Sequence, residues 1–383
     1  MGHVKAFDGL RGILALWVLL GHWGTAIAWP LEGVPANLWN DKAVHLFIIL
    51  SGFAMAALID RKQESYRVFI LRRFLRIFPV YWLYLLLSIA TIGLAYSVWS
   101  TPGPGVMQQT RATLAEGAIA HFWPHIVAHV PALQALVPDW LLPNSPVAFL
   151  GQAWSISLEW QFYLVVPFAI AALMAGLKNW KIALALVACL LILGALSRLF
   201  PTGFIGGYSP LFAVGIGTYY FLAARNRGTP WASRTPVLPV AIVSAGFVLL
   251  AATPQSVAIA IWLALAAGVA VADDGGSPLR PVVDALNLPR LQRLGRMSYS
   301  VYLSHMLVLT IVLYLLNRLG VSGGWMGAAL LLLFTLTGTW ALSTASYVLV
   351  EKPFQQLGQR LSAEASAADP ANGVAGIASG KVV

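Results

Sequence analysis

The chain has 383 residues, of which 59% are hydrophobic and only 10% charged, whereas soluble domains carry about 25% charged residues. Apolar stretches of about 20 residues recur along its whole length, which excludes a soluble enzyme and describes an all-α, polytopic transmembrane helical bundle lying in a lipid bilayer. The net charge of +10 is spread around those stretches, so no nucleic-acid partner is expected. Cys189 is the single cysteine; it excludes a disulfide framework, and its place in an apolar span argues against a thiol nucleophile.

Ten candidate spans fall at 11–29, 43–60, 74–98, 156–175, 180–197, 209–224, 237–253, 255–272, 298–317 and 326–349. The first follows Phe7-Asp8-Gly9-Leu10-Arg11-Gly12 and holds His22 within its apolar run. An imidazole or guanidinium facing hydrocarbon is costly, so such groups face a protein-lined cavity. Arg11 and His22 lie on nearly the same helix face, about 16 Å apart along the axis. That places a cation at the mouth of the helix and a titratable base deep inside it. An interfacial Arg with an incidental polar contact for His22 is the alternative on this pair alone. Lys5, the apolar run and Ala26-Ile27-Ala28 imitate a cleavable signal peptide, but Asp8, Arg11, His22 and the later spans favour an uncleaved first span.

The third span opens on Arg72-Arg73-Phe74-Leu75-Arg76. Arg73 and Arg76 share a face, and a helix N-terminus placed here adds to their charge, making a site suited to phosphate. Ordinary anchoring on the cytoplasmic side is the competing reading, and Arg61, Lys62 and Arg67 fit it.

Residues 99–153 form the longest stretch between spans, rich in Pro, Trp and His, and read as a lid or binding surface. Trp99, Trp123 and Trp140 suit stacking on sugar rings or a place at the membrane interface. His121, His125 and His129 invite a metal reading, but Pro124 interrupts that helix and no acidic ligand joins them, so no metal is expected.

Glu159, in Trp154-Ser155-Ile156-Ser157-Leu158-Glu159-Trp160-Gln161-Phe162-Tyr163, enters the fourth span and needs a partner. His22, a sugar hydroxyl and a backbone donor are candidates; a carboxylate beside imidazole holds its tautomer, whereas a helix-orienting role needs no such partner. Thr253-Pro254-Gln255 makes a tight hairpin between the seventh and eighth spans. Ser298-Tyr299-Ser300-Val301-Tyr302-Leu303-Ser304-His305 opens the ninth, with Tyr302 and His305 on one face; an interhelical hydrogen bond and a direct role are both open for His305. Glu351-Lys352-Pro353-Phe354 closes the tenth, with Pro353 as the stop. Residues 1–361 are thus expected to form one integral-membrane domain, and 362–383, rich in Ala, Ser and Gly, a disordered cytoplasmic tail.

With the amino terminus cytoplasmic, 20 of the 24 basic residues fall on inward segments. The excess orients the bundle with both termini cytoplasmic and an even number of spans.

These segments, in this order, resemble the acyltransferase-3 family of polytopic membrane acyltransferases. The likeness is carried by Phe7-Asp8-Gly9-Leu10-Arg11-Gly12 with His22, Phe47-Ile48-Ile49-Leu50-Ser51-Gly52-Phe53, and Arg73-Phe74-Leu75-Arg76. It continues through Trp154 to Glu159 with Phe162-Tyr163, Ser298-Tyr299 through His305, and Glu351-Lys352-Pro353, covering residues 7 to about 354. Each motif alone is weak, and six in order are specific. His45 departs from the pattern, which commonly has Asp there, and no role is borrowed for it.

The resemblance implies transfer of an acyl group, commonly acetyl from acetyl-CoA, to a hydroxyl of a bacterial surface glycan, a lipid-linked saccharide or a secreted small molecule, by a protein of the inner membrane, with the membrane side of transfer left open. It also implies that Arg11, His22, Arg73 and Arg76 matter to activity. On this reading His22 is the general base, Glu159 its partner, and Arg72, Arg73 and Arg76 hold CoA phosphates. Arg11 pairs with Asp8 or a phosphate, and Ser51, Tyr302 and His305 support the site. A transient acyl-histidine is the variant mechanism. The competing classes are a glycolipid transporter using Arg11, His22 and Glu159 as a polar pathway, and a non-catalytic scaffold. Acceptor identity and a homodimeric state stay open.

Overall fold

Each apolar stretch read from the sequence is helical in the computed structural model, which describes residues 4–30, 33–62, 64–200, 202–271 and 279–368. In chain order the helices are α1 (Lys5–Gly24), α2 (Asn40–Arg61), α3 (Tyr66–Ala90), α4 (Ile92–Ser100), α5 (Gln108–Ala120) and α6 (Phe122–His129). They continue with α7 (Trp154–Gly176), α8 (Trp180–Leu196), α9 (Ile205–Asn226), α10 (Pro230–Arg234), α11 (Val237–Leu250) and α12 (Ser256–Ala270). The last are α13 (Arg280–Leu286), α14 (Pro289–Arg296), α15 (Ser298–Arg318), α16 (Gly324–Ser346) and α17 (Lys352–Ala368). No strand occurs among the described residues, so the protein is an all-helical membrane bundle.

Among the described residues five helices, α2, α3, α7, α15 and α16, are long and apolar enough to cross a membrane. The apolar helices α8, α11 and α12, at 17, 14 and 15 residues, are shorter than the ~20 residues a perpendicular crossing takes. Helix α8 buries none of its residues and leaves Cys189 exposed, as a helix facing lipid does.

Several boundaries differ from those expected. The span expected at 74–98 is two helices, α3 and α4, separated at Thr91, whose hydroxyl donates back to the Leu87 carbonyl at 2.8 Å. The expected loop at 99–153 is largely folded, into α5, α6 and three single 3-10 turns. The helix break there falls at His121, and Pro124 sits in the first turn of α6, where no intrahelical N–H is needed. Pro353 does not end the tenth span. A π-helical turn at Tyr347–Glu351 joins α16 to α17, with Pro353 again tolerated in a first turn. Helix α17 runs through Ala368; of the tail expected at 362–383, residues 369–383, with Lys381, lie outside the described residues.

The chain forms two compact units. The first comprises Met1–Gly21, Asn37–Leu58 and Pro210–Tyr299. Its core is aromatic: Phe7 meets Phe53 edge-on at 4.8 Å and stacks on the fully buried Trp262 at 5.0 Å, pairs that add about 1 kcal/mol each beyond their burial. Helix α1 crosses α13 and α14 backbone to backbone. A Cβ on Gly9 would sit 1.9 Å from the Leu286 carbonyl oxygen, and one on Gly295 1.8 Å from that of Asp8. Small residues at such crossings let helices approach closely.

The second unit comprises His22–Ala36, Ile59–Ser209 and Ser300–Val383. Its buried hydroxyls are paired between helices: Tyr84 with Ser346 at 2.8 Å, and Ser300 donating to Glu351 at 2.6 Å. Every residue of the polar cluster described next belongs to this unit.

Candidate active site

His22 sits in the last turn of α1. The chain then turns, and Thr25 donates its hydroxyl hydrogen to the His22 carbonyl at 2.9 Å. Helix α5 brings Arg111 against this turn. Its Nη2 donates to Thr25 Oγ1 at 2.7 Å and lies 3.4 Å from both the His22 carbonyl and His22 Nδ1. The guanidinium stacks over the Trp99 ring, its carbon 4.5 Å from the centroid, which stabilises a desolvated cation by about 2 kcal/mol. Arg111 is 8% exposed, and burial pulls its pKa down to about 10, leaving it a cation at neutral pH. Its Nη1 is buried without a hydrogen-bond partner.

The third member is His305 on α15. Its ring lies 5.2 Å from that of His22, tilted by 32°. His305 Nδ1 lies 2.7 Å from the Tyr302 carbonyl oxygen, which only accepts. Nδ1 therefore carries the proton, and the buried Nε2, which has no partner, presents a lone pair. The Tyr302 hydroxyl in turn reaches Ser155 Oγ at 2.9 Å and the Gln152 carbonyl at 3.2 Å. A guanidinium only donates, so the nitrogen of His22 that faces Arg111 is likewise the acceptor. Two imidazoles and one cation thus share a pocket where a proton can be taken up and a developing negative charge stabilised.

Glu159 takes its hydrogen bond from within its own helix. It accepts a short hydrogen bond from Tyr163, one turn further along α7, and Arg73 lies over the Tyr163 ring at 5.7 Å. The neighbours of His22 are therefore Arg111 and His305, and the carboxylate expected to hold its tautomer is engaged with Tyr163. Helical spacing alone could not choose among the partners open to Glu159.

The arginine cluster also differs from expectation. Helix α3 starts at Tyr66, so Arg73 lies about 10 Å inside it at 1.5 Å per residue. The helix dipole acts within the first turn, so it adds nothing to Arg73 or Arg76. Arg72 forms an ion pair with Glu64, both side chains 10% exposed, and is committed to it. Arg73 keeps a buried Nε without a hydrogen-bond partner, a donor still available to an anion. From Arg73 to Ser88 the chain rises about 22 Å along α3.

Asp8, Arg11 and Ser51 belong to the first unit, on α1 and α2. Among the described residues no three His, Cys, Asp or Glu side chains converge to hold a metal ion. Of the three histidines on and before α6, His125 and His129 are fully buried while His121 is exposed.

Sequence reading missed Arg111, Thr25 and Gln152. One signal was present: Arg111 is among the four basic residues that the orientation left on the outer side, and an arginine there lacks an anchoring explanation.

The family model described as "Acyltransferase domain" matches residues 4–344. Nodulation protein 10 of Rhizobium leguminosarum bv. viciae is 26% identical over 94% of this chain and 96% of its own. The exopolysaccharide production protein ExoZ of Rhizobium meliloti is 29% identical over 82% of this chain and 90% of its own. The peptidoglycan O-acetyltransferase OatA of Listeria monocytogenes is 27% identical over 50% of this chain and 28% of its own. No solved structure matches. With a polar cluster able to move a proton set in a helical membrane bundle, and a family match over most of its length, the chain belongs to the acyltransferase-3 family and is a membrane O-acyltransferase.

Proposed function

We propose that this O-acyltransferase moves an acyl group, acetyl foremost, from acyl-CoA to a hydroxyl of a surface or exported glycan at the bacterial inner membrane, with both termini cytoplasmic. The observation that carries the reading is the His22–His305 pair beside Arg111. Two relatives named for exopolysaccharide production and peptidoglycan O-acetylation support a glycan acceptor, and the 20 of 24 basic residues on inward segments support the orientation.

In the reaction the acceptor hydroxyl oxygen attacks the thioester carbonyl carbon, and its proton passes to an imidazole of the pair. His22 is the proposed base, with His305 Nε2 beside it as the nitrogen whose lone pair has no protein partner. The carbon–sulfur bond breaks, and the imidazolium returns the proton to the leaving thiolate. The products are the ester and the CoA thiol, and a cation beside the pair stabilises the oxyanion between them. Arg73 and Arg76 hold CoA phosphates in this scheme. Arg72 contributes only field, because Glu64 occupies it, and the ~22 Å rise from Arg73 to Ser88 gives the pantetheine arm a helix to follow.

The test is the ester content of the surface polysaccharide, read by mass spectrometry or proton NMR in cells carrying wild type or His22→Ala at equal membrane levels. Loss of ester in the variant supports the reading; unchanged ester overturns the assignment of the base. Purified protein that forms no ester from acyl-CoA points instead to a transporter, which moves its substrate unaltered.

A further inference from the structure

A cavity of about 100 Å³ lies beside the histidine pair, within the second unit. Arg111 belongs to both, and Met306 and Leu307, next to His305, line the cavity. The walls are mostly apolar, with Ile92, Ala95, Trp99 and Leu114 prominent, and the hydroxyl residues Ser88, Thr91 and Thr310 also line it. Two of the polar lining residues are of a particular kind. Arg111 Nη1 is a buried donor and Gln152 Oε1 a buried acceptor, and neither has a protein partner; the side chains are 8% and 3% exposed. Leaving such groups unsatisfied is costly, and more so for a charge, so a ligand with one acceptor at Nη1 recovers what the protein leaves open. The rim is strained as well. Phe149 adopts φ +53°, left-handed backbone that a bulky aromatic rarely takes, and such strain gathers at ligand clamps.

We propose that this cavity is the acyl-binding pocket, that Arg111 Nη1 holds the acyl carbonyl oxygen, and that the walls restrict transfer to short chains. The proposal rests on the acyl-transfer reading above and adds the donor's chain length to it. A carbonyl on a short alkyl group needs one donor and mostly apolar walls, which Arg111 Nη1 and the aliphatic and aromatic lining supply. A sugar ring would need many more polar partners. An apolar cavity of about 150 Å³ admits benzene, so ~100 Å³ takes roughly two to four carbons and excludes a fatty acyl chain.

The test uses the purified full-length protein in lipid nanodiscs, extracted surface polysaccharide as acceptor, and acetyl-, butyryl- and octanoyl-CoA as donors, with released CoA thiol as the readout. Wild type is expected to use acetyl-CoA at least about tenfold faster than octanoyl-CoA, since even one misplaced methylene in an apolar pocket changes rates by about tenfold or more. Leu114→Ala enlarges the cavity and should narrow that ratio. Ala95→Phe, on a different helix, fills it and should slow butyryl transfer more than acetyl. Octanoyl transfer as fast as acetyl in wild type overturns the pocket while leaving acyl transfer standing, as do ratios unmoved by both variants. Absence of thiol release from every acyl-CoA overturns the donor reading itself, and the pocket with it.

Discussion

Arg111 places Nη2 3.4 Å from His22 Nδ1, so the nitrogen of the first-helix histidine faces a buried cation rather than a carboxylate. A guanidinium only donates, so the ring nitrogen that faces it presents a lone pair, the form a general base requires. The same guanidinium is positioned to meet negative charge as a carbonyl becomes tetrahedral. Its removal should therefore affect rate more than binding.

Arg111→Ala is expected to lower the rate of acyl transfer by about 10²-fold or more, the usual loss for one oxyanion donor. Arg111→Lys should recover part of it, since a lysine keeps the charge but not the planar fork. Initial rates at saturating acyl-CoA check this, and equal rates for wild type and Arg111→Ala would sink the role.

The three arginines of α3 should separate. Arg73→Gln, which removes a donor left open inside the helix, should raise the KM for acyl-CoA by about tenfold, in line with a lost charge-assisted hydrogen bond. Arg72→Gln breaks the ion pair with Glu64 and leaves a largely buried carboxylate with only the more exposed Lys62, 3.6 Å away, as its cation, so it should lower Tm with KM little changed. Steady-state kinetics beside thermal unfolding in detergent separate the two effects.

Buried imidazoles make the segment around α6 acid-sensitive. Burial, with the neighbouring His121 adding, pulls His125 down to about 4. Burial, with His125 adding and against a hydrogen bond to the Ser145 carbonyl, pulls His129 down to about 3. Both lie below the unfolded value of about 6.5, so the neutral rings contribute stability that is intact above pH ~6.5 and lost as pH falls from there toward 4 and then 3. At pH 4.5 the loss is on the order of 2 kcal/mol for each ring. Tm should fall on moving from pH 7 to 4.5. His125→Phe should reduce that fall, since neither ring nitrogen of His125 has a hydrogen-bond partner. A Tm independent of pH over this range contradicts the assignment.

Gly9→Ala would drive a methyl into the Leu286 carbonyl at 1.9 Å. Backbone cannot yield as a side chain tip can, so a destabilisation of about 1–3 kcal/mol is expected. Detergent unfolding measures it, and wild-type stability would mean that α1 and α13 do not cross this closely.

Much of the helical architecture was legible because apolar length is a strong signal: the stretches around Leu46 and Leu303, for example, could only be buried or membrane-embedded helices. Boundaries were less so. The arginines at 72, 73 and 76 looked like the start of a helix because charge there ends the apolar run, yet Glu64 and the groove against α17 bury part of that charge and let α3 begin at Tyr66. Pro353 looked like a stop because a proline in a helix interior is one, and the π turn before it made its position a first turn. Within the site, His22 and His305 announced themselves as imidazoles in apolar runs. Their meeting did not, since the two lie 283 residues apart in the chain and no local pattern joins them. Arg111 was hidden in a segment read as a loop, where a folded helix, a tryptophan face and a threonine hydroxyl together bury it.

The central claim, that the imidazole pair performs acyl transfer, is tested most directly by comparing wild type, His22→Ala and His305→Gln as purified proteins in nanodiscs, with radiolabelled acetyl-CoA and extracted surface polysaccharide. The account predicts label in the polysaccharide with wild type, a loss of at least about 10²-fold for His22→Ala, and a smaller loss for His305→Gln. Undiminished label transfer by His22→Ala would contradict it.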